Sequence, residues 1–272
     1  MMDFSYNGSV GQWWLERAAD SAHQRAYRNI AGFIRASISH SPRLIVDYAC
    51  GAGDLLSLLS RCFPQSRLVG LDGSSLLLYR ALQKVARLPR SCSRRISLIE
   101  TALPAGRAVR ERADLVVYCF PNMTPASIEE DMHGGGFCLD EGDRRVAESL
   151  SKAKDPGDDG SEVPDPQGAQ HTLEYGRSIA KNLRGLLARG GICVRAEYAT
   201  TRRHEWSPLE LAQVSFEEGS LDAPIDGVEP RVWFRVLASA YFRSRVLEDV
   251  FQQTGDERDR SGGYLITVLR AI

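Results

Sequence analysis

Apolar residues in this chain form short solid blocks that alternate with stretches of helical period, and this alternation predicts an α/β fold. Leu44-Ile45-Val46, Arg67-Leu68-Val69-Gly70-Leu71, Ile96-Ser97-Leu98-Ile99 and the run Ala113 to Phe120 read as buried strands. Leu55, Leu56, Leu58 and Leu59 follow the first block at helical spacing, so a strand, a turn and a helix are predicted there. A helix from about Leu173 to Ala188 is predicted to lead into a fifth strand, Ile192 to Tyr198, with Gly190-Gly191 supplying the left-handed cap. A long amphipathic helix is predicted over about Val232 to Thr254, and Tyr264 to Leu269 closes the chain as a strand. Ahead of the first strand, Trp13, Trp14, Leu15, Ala18, Tyr27, Ile30, Phe33 and Ile34 give residues 1–40 a helical apolar face.

The turn after the first strand, Asp47-Tyr48-Ala49-Cys50-Gly51-Ala52-Gly53, concentrates the candidate chemistry. Gly51 and Gly53 permit positive φ and close backbone approach to a ligand, and the helix starting near Asp54 offers unpaired amides at its positive end. The spacing is not G-x-G-x-x-G, because Leu56 stands three after Gly53, and no Lys-Ser/Thr pair makes a P-loop. Phosphate cradling is therefore disfavoured.

This turn resembles the D-x-[GA]-C-G-x-G motif of class I S-adenosylmethionine-dependent methyltransferases, with Ala49 where many members have glycine. Further markers follow in the family's order. Asp72 ends the second strand, where the family's acid holds both ribose hydroxyls; an Asp before Gly73-Ser74 is also a helix cap. Glu100-Thr101-Ala102-Leu103-Pro104 resembles a shortened adenine-side segment, with Glu100 or Thr101 as the polar contact. Asp114-Leu115-Val116 resembles the "FDLV" strand, and Arg189-Gly190-Gly191 the "L-x-P-G-G" turn.

The resemblance implies a doubly wound, mostly parallel seven-stranded sheet, with the last strand antiparallel at its edge. It divides the chain into an N-terminal helical cap, 1–40, and a Rossmann-like domain, 41–272, with insertions at about 124–172 and 200–230. It implies S-adenosyl-L-methionine as cofactor, bound by Asp47, Tyr48, Ala49, Cys50, Gly51, Gly53, Asp72, Gly73, Ser74, Glu100, Thr101, Ala102, Cys119 and Phe120. The N-terminal aromatics either cover that cofactor or pack on the sheet as core.

With 272 residues, 43% hydrophobic and 25% charged, the chain has room for a full core. No run reaches the ~20 apolar residues of a membrane span. Met-Met-Asp-Phe-Ser-Tyr lacks the basic-then-apolar pattern of a signal, so a cytoplasmic location is expected. The six cysteines have no C-x-x-C or zinc spacing and are expected to be reduced; no metal site is expected. The net charge of −1 argues against bulk nucleic-acid binding. Residues 124–172 nevertheless hold twelve acids and four bases, an acidic insertion that reads as a lid or as a solvated loop, with a short helix at about Asp140 to Ala153.

Methyl transfer is an in-line displacement that depends mainly on alignment, and a base matters only if the acceptor must lose a proton. Candidate catalytic groups are Tyr118, Asn122, Tyr175, Tyr198 and His204, with His133, His171 and Glu197 as further bases. Tyrosine faces also attract a cationic sulfonium. Cys119-Phe120-Pro121-Asn122 is not the [ND]-P-P-[YF] signature of amino-group methylation on bases or glutamine, which leaves a small-molecule acceptor. Two alternatives remain: the cofactor as substrate, cyclised or transferred with release of methylthioadenosine, and a non-catalytic binding protein. A monomer or homodimer is expected.

Overall fold

The computed structural model describes residues 7–103, 108–120, 179–199, 233–244 and 263–272. Two helices come first, α1 (Ser9–Ala19) and α2 (Ser21–Ser37). Between them Asp20 caps α2, its carboxylate accepting the Ala22 amide at 2.8 Å. The remaining elements are β1 (Leu44–Tyr48), α3 (Asp54–Cys62), β2 (Arg67–Asp72), α4 (Ser75–Ala86), a single turn α5 (Arg90–Ser93), β3 (Ile96–Glu100), β4 (Ala113–Cys119), β5 (Leu187–Ala199), β6 (Phe234–Arg243) and β7 (Gly263–Ala271).

All seven strands join one sheet in the order β3-β2-β1-β4-β5-β7-β6. Strands β1 to β5 pair in parallel, and β7 runs antiparallel to both β5 and β6. Strand order reverses between β1 and β4, and in open α/β sheets ligands bind beyond the strand carboxyl ends at such a point.

Period-two alternation sends side chains to two cores. On one face Ile45, Leu115, Val117, Val194, Ile266 and Val268 pack beneath α2 and α3, which contribute Ile30, Ile34, Leu56 and Leu59. On the other, Val46, Tyr48, Val116, Tyr118, Cys193 and Leu269 pack with Ile179, Leu183 and Leu186 of a helical stretch at 179–186. Asp47 projects among apolar neighbours and is 2% exposed. Among the described residues no helix is long and apolar enough to cross a membrane.

Three expected features differ. The helix expected over about Val232 to Thr254 is instead strand β6 across Phe234–Arg243, paired with β7. A register shift between Val236 and Ala238 leaves Leu237 bulged and 41% exposed, and that extra residue breaks the alternation that would have betrayed a strand. Because β6 takes the edge, β7 lies inside the sheet and not at its margin. The helix expected to reach Ala188 ends at 186, since Leu187 already pairs with Ala113. Gly190 has the anticipated left-handed backbone, φ 77°, within the irregular start of β5. The helix expected at Asp140 to Ala153 and the acidic insertion lie outside the described residues.

Gly70 in β2 allows the glycine turn to settle on the sheet. A Cβ there would meet Cys50 Sγ at 2.8 Å, Leu98 Cδ2 at 2.9 Å and Leu56 Cδ2 at 3.0 Å. Gly70→Ala is expected to lower stability by about 1–3 kcal/mol, read from the urea midpoint; an unchanged midpoint would show that the contact yields freely.

Candidate functional site

The site begins where β1 ends. Ala49, Gly51 and Gly53 all take positive φ, 61°, 51° and 73°, so the chain from Tyr48 to Asp54 folds into a tight coil before α3. Glycine does this without cost, but an L-residue in the left-handed region is strained by roughly 1–2 kcal/mol. The constraint at Ala49 is therefore conformational as well as steric. The coil is tied down by the Cys50 amide donating to the Leu71 carbonyl at 2.9 Å and the Gly53 amide donating to the Cys50 carbonyl at 2.9 Å. Ser57 Oγ donates to the Gly53 carbonyl at 2.7 Å.

Asp72, at the carboxyl end of β2, holds the coil from the other side. Its Oδ2 accepts the Gly51 amide at 2.7 Å and its Oδ1 accepts the Ser74 amide at 2.9 Å. Its own carbonyl accepts the Thr101 amide at 2.9 Å, which brings the end of β3 into the same edge. Burial pushes the Asp72 carboxyl up, against the opposing pull of the Ser74, Gly51 and Gly73 amides. Ser74 caps α4 by accepting the Leu77 amide at 3.2 Å. Asn7 Oδ1 then accepts from Ser74 Oγ at 3.1 Å, Ser75 Oγ at 3.0 Å and the Leu76 amide at 3.2 Å, so the amino-terminal segment closes on the first turn of α4.

Beneath the coil, Asp47 is almost wholly buried, and its Oδ2 has no hydrogen-bond partner among the described residues. Burial pushes its carboxyl up to about 8, aided by the neighbouring charges of Asp72 and Asp54 and opposed by the Leu56 amide. Asp54 is itself compensated, with Lys84 Nζ at 2.6 Å and Gln24 Nε2 at 2.8 Å, a junction that ties α2 and α4 to the start of α3. Asp47 is thus a desolvated carboxyl directly beneath the coil.

The strand order, the left-handed coil at the switch point and the acid at the end of β2 decide the fold together with the solved structures it resembles. The N-methyltransferase NodS from Bradyrhizobium japonicum WM9, in complex with S-adenosyl-L-homocysteine, superposes with a TM-score of 0.52 at 14% identity, covering 96% of this chain and 97% of that one. Magnesium protoporphyrin IX methyltransferase ChlM from Synechocystis PCC 6803, with bound S-adenosylmethionine, gives 0.52 at 12% identity over 98% and 94%. This chain has the class I methyltransferase fold. No family model matches it. A trans-aconitate 2-methyltransferase from Acidovorax sp. (strain JS42) is 46% identical over 55 residues, and this match spans 20% of the chain and 21% of that relative.

Within the class I fold, the expected site residues separate into groups. Asp47, Ala49, Gly51, Gly53, Asp72, Gly73, Ser74, Glu100, Thr101 and Ala102 gather along the carboxyl edge of β1, β2 and β3. Cys50 lies in the coil with its sulfur against Gly70, and Cys119 is buried on the α2 and α3 face. Burial holds both thiols well above their ordinary range, which disfavours a nucleophilic role. Tyr48 and Tyr118 pack edge to face at 5.6 Å on the opposite face, Tyr118 only 5% exposed. Phe120 turns its ring towards α2. Glu197 is buried in an ion pair with Arg195 on the same strand, so its carboxylate is already committed. Tyr198 sits opposite Tyr264 in the β5–β7 ladder. Asn122, Tyr175, His204, His133 and His171 lie outside the described residues.

Asn7 and His23 escaped the sequence reading. His23 is fully buried on α2, and burial drives its imidazole down to about 4, so it is neutral. Its place on the stripe 23, 26, 30, 34 was a usable signal, whereas nothing in the sequence marks Asn7.

The Asp47 shift has a definite sign in stability. A carboxyl that keeps its proton to about pH 8 when folded, against 3.8 as its ordinary value, stabilises the fold at low pH and loses that contribution as pH rises through this window. Asp47→Asn keeps an acceptor for Leu56 and cannot ionise. Without ligand, its melting temperature is expected to gain on the wild type steadily from about pH 5 to pH 8. Parallel melting curves across that range would contradict the shift.

Proposed function

We propose that this chain binds S-adenosylmethionine at the coil between β1 and α3 and transfers its methyl group to a small-molecule acceptor. The observation that carries the reading is the buried Asp47 Oδ2, without a partner among the described residues, beneath the left-handed coil at the switch point. A ligand with a cationic group would complete that carboxylate, and S-adenosylmethionine carries an ammonium and a sulfonium. A nucleotide phosphate suits the place poorly, because the Asp72 carboxylate borders the coil and would repel it. The class I fold and its neighbours with bound S-adenosylmethionine or S-adenosyl-L-homocysteine support the same choice.

The residues present fit this cofactor. The Asp72 oxygens accept the Gly51 and Ser74 amides, with the Gly73 amide also drawn to the carboxylate, and a carboxylate has about four acceptor sites, so it keeps capacity for a ribose hydroxyl. Thr101 and Ala102, with Glu100, stand at the end of β3 on the side where a base would lie. When bound, the sulfonium supplies an electrophilic methyl carbon. The chain then contributes alignment, through a coil clamped by β2 and α4, and the desolvated surroundings of Asp47 that strengthen its pairing with a cation.

A small-molecule acceptor agrees with the absence of the [ND]-P-P-[YF] signature and with the near-neutral chain. Two of the similar proteins are named for trans-aconitate and magnesium protoporphyrin IX, both small molecules. Cys50 and Cys119 are too strongly held in the thiol form to form covalent intermediates, and Glu197 is engaged by Arg195. Direct transfer to the acceptor is the mechanism these placements favour.

Incubation with S-adenosylmethionine and a panel of small carboxylic acids and amines is expected to yield S-adenosylhomocysteine and a methylated acceptor. Methylthioadenosine formed without any acceptor would overturn methyl transfer and make the cofactor the substrate.

A further inference from the structure

Phe120, the residue that ends β4, has φ 49°, one of two residues other than glycine with positive φ among those described. A bulky side chain in the left-handed region is an outlier, and such strain persists only where the surroundings impose it. Its neighbour in sequence deepens the anomaly: Pro121 follows, and a residue before proline favours extended backbone. The chain uses glycine for the same conformation at Gly51 and Gly53. At position 120 it uses a ring.

That ring is gripped from two directions. From α2, His23 and Tyr27 meet it edge to face, each with ring centroids 5.8 Å away. From β7, Tyr264 meets it at 5.7 Å, also edge to face. Tyr264 is fixed in turn by Asn29 of α2, whose Nδ2 donates to its hydroxyl at 3.0 Å, and by stacking on Phe242 of β6 at 5.2 Å. The Phe120 amide donates to the Ala196 carbonyl at 2.8 Å, which anchors the joint to β5. Phe120 is 5% exposed, so its ring serves this cluster and does not form an open wall.

We propose that Phe120 is a positioning residue: its ring, clamped by His23, Tyr27 and Tyr264, holds the end of β4 in a left-handed joint beside the coil and so couples the docking of α2 to the geometry of the cofactor site. The end of β4 lies next to the end of β1, with Tyr118 opposite Tyr48, so the direction in which the chain leaves β4 bears directly on the coil. If α2 withdrew, the joint would lose its clamp and relax towards extended backbone. Binding competence would then fall with the share of molecules that keep the joint. The coupling to binding rests on the cofactor reading proposed above, whereas the joint itself stands on geometry alone.

The test compares Phe120→Ala, which removes the ring and keeps the strain, with Phe120→Gly, which removes both. Thermal melting without ligand is expected to rank wild type above Phe120→Gly and Phe120→Gly above Phe120→Ala; glycine at or below alanine would overturn the joint. By titration calorimetry, Phe120→Ala and Tyr27→Ala should each weaken S-adenosylhomocysteine binding by roughly tenfold, and Phe120→Gly should recover most of that loss. In a Phe120→Gly background, Tyr27→Ala should no longer affect affinity, because the ring it clamps is gone; a further loss would show that Tyr27 acts by another route. Equal affinities in all variants, or equal losses in Phe120→Ala and Phe120→Gly, would overturn the positioning role. No binding by the wild type would sink the cofactor reading, and the melting order alone would then decide the joint.

Discussion

Two backbone amides, one from the coil after β1 and one from the turn after β2, converge on the carboxylate of Asp72. Much of the site depends on this bridge. It fixes Gly51, and with it the three left-handed residues that no regular element would hold. It also fixes Ser74, which caps α4 and receives Asn7. Hydrogen bonds to a charged acceptor are each worth about 1.5–3 kcal/mol, enough to offset the strain at Ala49. The side chain that the sequence marks for a ribose is thus already structural, and the two roles are compatible because carboxylate oxygens accept more than once.

The same bridge gathers acidic groups. Asp47, Asp54 and Asp72 surround one coil, and among the described residues Asp54 has a cationic partner, Lys84. A buried carboxyl with an empty oxygen costs folding stability, and proteins retain such groups where a ligand completes them. Ionisation of Asp47 is therefore disfavoured in the unliganded fold and would be favoured by a bound cation. On the other face of the sheet, Arg195 and Glu197 are also buried and form an ion pair with each other, so burial alone does not mark a binding group. What distinguishes Asp47 is its position under the coil at the switch point.

Much of this architecture was legible in the sequence. Solid apolar blocks located β1 to β4, and the glycines located the coil, because both signals are local. The failures were tertiary. Strand β6 reads as a helix since the bulge at Leu237 spoils its alternation, and only pairing with β7 reveals it. The positive φ that turns the Phe120 ring under α2 is likewise a tertiary feature that no local pattern announces. His23 was overlooked although its place on the apolar stripe of α2 signals burial, and its neutrality follows only from complete burial. Asn7 joins α4 across 68 residues of sequence, a pairing no local pattern encodes.

The coil over Asp47 is proposed to receive S-adenosylmethionine, a cationic adenosyl ligand. Titration calorimetry of the wild type with S-adenosylmethionine, repeated near neutral pH in buffers of different ionisation enthalpy, measures both that binding and the proton Asp47 would give up. A carboxyl that is protonated when empty and ionised when paired predicts saturable binding with release of up to about one proton per site. Absence of binding at millimolar ligand, or binding with no proton released, would contradict it.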